Sequence, residues 1–147
     1  MLGMEEKPKP RPFATEAELH DLMSAFDHAR IPRPFWTHRE HLAIATLYVL
    51  RQRSLDEIRS GIQRLNEANG VLQTPAGGYH ETITVVWMKL ISDWIVQTTV
   101  DSQLVAVNEV LEGFGDRDFL FAYYSRERLM SVEARFGWVE PDLKKIG

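Results

Sequence analysis

The stretch that decides the fold is 80-HETITVVWMKLISDWIV-96. By intrinsic preference it could be a strand, since Ile83, Val85, Val86, Ile91, Ile95 and Val96 are all β-branched. Its length argues the other way, because strands run about 4–8 residues and longer apolar segments are more often helical. The spacing of Ile83, Val86 or Trp87, Leu90 and Trp94 also puts large side chains on one helical face. The segment is read as a buried helix, and the protein as all-α.

Three upstream segments carry one helix-start signature. Thr15 is followed by Glu18, Thr37 by Glu40 and Ser54 by Glu57. In such a capping box the hydroxyl accepts from an orphan N–H, and the glutamate reaches back to the cap residue's own N–H. Each box opens an amphipathic stretch, and the expected helices span 16–29, 38–51 and 55–68. The prolines at 32 and 34 stop the first, and Asn69 with Gly70 stops the third. A loop over 74–78 leads into the decisive segment. Beyond it, Asp101 is the expected cap of a helix through Glu112, ended by Gly113 and Gly115. Short helices are expected over 116–124 and 126–136. The sum is a compact single-domain bundle of about five to seven helices over 13–147, after a flexible lead over 1–12 whose alternating prolines block a helix.

A chain of 147 residues is the size of one domain with a real core, and 44% hydrophobic with 26% charged residues is ordinary for one. The net charge of −4 argues against nucleic acid, which usually needs a basic face. With no cysteine, disulfides, thiolate metal sites and cysteine nucleophiles are excluded. The N-terminus lacks the apolar run of a secretory signal, and no segment approaches the ~18 apolar residues of a membrane span. The expected setting is cytoplasmic, away from membranes.

Chemistry is concentrated at two helix starts. Trp36, Thr37, His38 and His41 form the first, where residues three apart lie about 60° apart around the helix, so both imidazoles can face one side. The positive end of the helix dipole disfavours imidazolium, leaving the neutral form that binds a metal or acts as a base. Gly77, Gly78, Tyr79, His80 and Glu81 form the second. Should the two helices pack side by side, His38, His41 and His80 could converge. Three histidines and a water make an open site for a divalent metal such as zinc, iron or manganese, with Glu81 as fourth ligand, supporting acceptor or general base. The structural alternative is that these histidines only serve hydrogen bonding at helix starts and loops. A third cluster runs from Tyr123 and Tyr124 through Arg128, then Ser131 to Arg135, where the Arg135 fork suits a carboxylate or phosphate. Trp36, Tyr79, Tyr124, Ser131 and Arg135 are the candidate ligand-binding residues.

These blocks resemble those of a family of small uncharacterised bacterial helical proteins. The matching pieces are Trp36-Thr37-His38 with His41-Leu42, Gly78-Tyr79-His80-Glu81-Thr82-Ile83-Thr84, Tyr123-Tyr124-Ser125, Ser131 with Ala134-Arg135, and Pro141-Asp142-Leu143. The resemblance implies a bacterial setting and a shared site, and carries no catalytic roles. Three readings stand side by side. The first is a small-molecule enzyme using His38, His41, His80 and Glu81, with or without a metal. The second is a non-catalytic module for a small anionic ligand, and the third a helical interaction protein with structural histidines. The aromatic content leaves a homodimer open.

Overall fold

The structure, a computed structural model, describes residues 9–147. Among them the order is α1 (Glu16–Asp27), a 3-10 turn (Arg33–Phe35), α2 (His38–Leu50), α3 (Leu55–Ala68), α4 (Glu81–Gln97), α5 (Gln103–Phe114), a second 3-10 turn (Phe119–Ala122), α6 (Arg126–Leu129) and α7 (Val132–Phe136). The one β pairing among the described residues is an isolated bridge between Thr74 and Gly77. The chain is all-α, and the decisive segment is its longest helix.

α2 is the central post. Every residue from Leu42 to Tyr48 is buried, so the helix is covered all round, by α1, α4 and α5. α3 shows the opposite pattern, with Ile58, Gly61, Ile62 and Leu65 inward and charge outward. Gly61 is glycine for a packing reason: a Cβ there would lie 2.5 Å from the ring of the fully buried Phe26 on α1.

The starts follow the caps. Ser54 and Glu57 form the full reciprocal box, at 3.1 and 3.2 Å. At α2 the Glu40 carboxylate accepts from both the Thr37 N–H and its hydroxyl. At α1 Thr15 accepts from Glu18 N–H, but Glu18 reaches Ala14 N–H instead of closing the box. Ser102, not Asp101, caps α5. The stretch expected as one helix over 126–136 is two, because Ser131 leaves the helical conformation to cap α7. The 116–124 segment holds only the second 3-10 turn.

Three helix ends share one device, in which the residue past the cap turns left-handed and the next N–H closes on a carbonyl five residues back. Ala29 (φ 53), Gln52 (φ 55) and Gly70 (φ 70) take that turn. Arg30, Arg53 and Val71 then donate to Ala25, Tyr48 and Asn66. Only the third uses glycine, and the expected first helix accordingly ran two residues too far.

Residues 1–8 of the expected flexible lead lie outside the described residues. Residues 9–13 pack onto the bundle. Phe13 is buried and exchanges two hydrogen bonds with the Asn108 side chain on α5, at 2.8 and 3.0 Å. Arg39 on α2 lies 3.7 Å over the Phe13 ring and donates to the Arg11 carbonyl. No helix among the described residues is long and apolar enough to cross a membrane.

Candidate functional site: a histidine and arginine cavity

α2, α3, α4 and the α3–α4 loop enclose a cavity of about 450 Å³, closed on the far side by Met130 and Arg135. That volume lies within the ~300–1,000 Å³ usual for small-molecule sites. Ile44, Ile58, Ile62 and Trp87 form its apolar walls, and Trp36, His41, Tyr79, His80 and Arg135 all line it. Five of the residues singled out in the sequence therefore meet at one place.

His41 faces the cavity from the first turn of α2. The 3-10 turn before α2 delivers Trp36, whose ring stacks 5.4 Å from Phe26 and sits 3.9 Å from the His41 ring. Among the described residues neither ring nitrogen of His41 has a protein hydrogen-bond partner, and neither is sealed from the cavity. Burial pushes its pKa down to about 4, with help from neighbouring His38 and against the pull of Glu40. The ring is neutral at pH 7, as expected, but chiefly because it is desolvated; the helix dipole is not needed to explain it.

His80 is held quite differently. It is the N-cap of α4: its Nδ1 accepts from Ile83 N–H at 3.1 Å, and its Nε2–H donates to the Leu129 carbonyl at 2.7 Å. Those partners fix the tautomer, because an N–H must meet a lone pair and a carbonyl must meet an N–H. Burial, and then the charge of Arg135, keep its pKa below the ordinary value against the pull of the Leu129 carbonyl. Beside it Thr82 ties down the following segment, donating to Gly137 O at 2.8 Å and accepting from Val139 N–H at 3.1 Å. The loop ahead of α4 is strapped by Gln73, whose side-chain amide pairs with both Tyr79 N–H (2.8 Å) and Tyr79 O (3.1 Å). Gly78 turns left-handed there (φ 89), where a Cβ would also meet Gln73 at 2.8 Å.

Arg135 is the unusual group. It is 7% exposed, and it has no carboxylate partner among the described residues. Its Nη1 donates to the Gly78 carbonyl at 3.0 Å, while its Nε is buried with no partner at all. Buried charges are ordinarily paired, so this cation stands out.

Glu81 does not face the cavity. It is gripped by both arms of Arg59 at 2.8 and 2.6 Å and accepts from the Tyr79 hydroxyl at 2.6 Å. Arg59 holds its carboxyl below the usual range, and burial pushes the Tyr79 phenol up to about 12. The group is a clamp that fixes Tyr79, with no spare basicity. His38 also points away, its Nε2–H donating to the Phe114 carbonyl at 3.1 Å beside the Trp87 ring. Burial lowers its pKa, against that carbonyl and with Arg117 assisting. Ser131 is spent on capping α7. Tyr124 is fully buried, its hydroxyl donating to Val139 O.

The expected three-histidine metal set is not gathered. Both ring nitrogens of His80 are engaged, His38 faces elsewhere, and no three His, Asp or Glu among the described residues are grouped to hold a metal ion. The function proposed for the cavity therefore draws on no metal. Arg59 and Gln73, which build the site from behind, escaped sequence reading because one sequence carries no mark of a partner 22 or 6 residues away.

Compared with known proteins, the chain matches no family model, no curated protein and no solved structure.

Proposed function

We propose that the chain is a small-molecule enzyme whose cavity holds an organic substrate, with His41 as the general base. The observation that carries this is the state of His41: a neutral imidazole, its nitrogens unclaimed by protein, set against Trp36 and open to a cavity of about 450 Å³. A base must be open to its substrate and unprotonated at working pH, and this ring is both, at the cost of the weak basicity that a pKa of about 4 brings. His80 is a fixed neutral wall whose Nε2–H is already spent. Tyr79, held by Glu81, shapes the adjoining wall.

A second reading, a non-catalytic binding module, is favoured by how few groups at the cavity are left free to react. With His80 and Glu81 both tied off, His41 is the one cavity histidine among the described residues with nitrogens left to act. The two readings separate in one experiment. The protein is incubated in D₂O with a library of small acids, alcohols, ketones and amides, while NMR follows the His41 ring signals and the library together. The enzyme reading expects a member that perturbs His41 and is converted, with conversion lost in His41→Gln. Binding without conversion points to the module. If no member perturbs the His41 ring, both readings fail.

A further inference from the structure

The cavity lining contains Arg33 and Arg135 and no aspartate or glutamate. Arg33 is solvent-exposed at the rim, whereas Arg135 is 7% exposed. The arginine's donors are unevenly used. Nη1 is committed to Gly78 O, whereas Nε has no partner and Nη2 has none among the described residues. Nε–H and the near Nη2–H point the same way along one edge of the guanidinium plane, at the spacing of two carboxylate oxygens. The unused donors are therefore a matched pair.

We propose that the cavity takes an organic monocarboxylate, its two oxygens on the Nε–Nη2 edge of Arg135 and its apolar body against Trp36 and Trp87. This rests on the cavity being a small-molecule site. One buried unpaired cation balances one negative charge. A phosphate dianion would bring a second charge towards Glu81, which lies with Arg135 on the neighbouring cleft and already absorbs Arg59. Neutral His41 and His80 add no positive charge to attract it. The Gly78 bond survives binding, so the fork stays aimed while the acid docks. Nε itself is sealed in this structure, so the acid docks only as the wall that carries Arg135 and Met130 gives way.

The test is thermal unfolding of the intact protein at pH 7 with phenylacetate, indole-3-acetate and hexanoate, each against its primary amide, and with inorganic phosphate. At a hundredfold excess over Kd, a binding carboxylate should raise Tm by about 5–10 °C, with its amide nearly silent. Arg135→Gln should remove the shift, and Arg135→Lys should keep a reduced one. The acid–amide contrast uses the wild-type protein, so it stands even if the variants fold badly. An amide matching its acid, protection by phosphate alone, a full shift in Arg135→Gln, or silence from all three carboxylates overturns the inference. The His41 signals across the wider library then show separately whether the cavity binds small molecules at all.

Discussion

Acidifying the protein from pH 7 to pH 5 crosses the range in which the unfolded chain protonates His41 and the folded chain does not. In the unfolded chain this ring takes up its proton near 6.5, and in the folded chain only at about 4. A histidine whose folded pKa is lowered favours the native state while neutral. Its contribution is complete above pH 6.5 and is lost as the pH falls towards 4, at up to about 1.4 kcal/mol per pH unit. Between pH 7 and pH 5 one such ring removes about 2 kcal/mol of folding stability. His38 and His80 are shifted in the same direction and add to the loss. His80 and the distant carboxylates do so equally in the wild type and in His41→Gln, so the difference between the two proteins reports His41 together with its coupling to His38 and Glu40. The assay is urea unfolding of both at pH 7 and pH 5. The variant should lose about 2 kcal/mol less than the wild type over that interval, whatever its stability at pH 7. Equal losses would refute both the burial argument and the neutral base built on it.

Other consequences can be measured independently. His80→Ala removes an N-cap and leaves the Leu129 carbonyl without its donor, for an expected loss of about 2–4 kcal/mol in chemical denaturation, and His80→Asn should restore about 1 kcal/mol through the cap alone. Gln52→Gly relieves a left-handed, exposed residue at the end of α2 and should stabilise by about 0.5–1 kcal/mol in the same assay; a loss would mean the turn is not strained. Gly78→Ala, at φ 89 and against Gln73, should cost about 1–3 kcal/mol and disturb the Tyr79 resonances. Tag-free protein should carry no stoichiometric zinc, iron or manganese and keep its Tm in EDTA, whereas one bound equivalent would restore the metal reading.

How much of this was legible in the sequence depended on whether the signal was local. Ser54 with Glu57, and Thr37 with Glu40, announced helix starts because the whole interaction fits within four residues. The helix over 81–97 was legible because seventeen residues give periodicity room to outweigh β-branched composition, but its expected burial holds only for Thr82, Val86, Trp87 and Ile91. The ends of α1 and α2 were not, since Ala29 and Gln52 occupy turns that normally advertise themselves with glycine. At the site, His41, His80 and Arg135 were recognised as candidates, but their roles were set by distant chain. Leu129, 49 residues on, takes the Nε2–H of the His80 ring whose Nδ1 caps α4. Arg59, 22 residues back, turns Glu81 from a base into a clamp. Arg135 was singled out for its fork, and what distant packing adds is its burial beside Gly78.

The far wall of the cavity consists of two helices of four and five residues. Helices that short do not persist in water on their own. This wall exists through its stitches to the beginning of α4, at His80 and Thr82. Its order therefore depends on those long-range bonds more than on the helices themselves. An occupant bridging Arg135 to the bundle would add one more stitch, slowing amide hydrogen exchange across residues 126–139 far more than in α2.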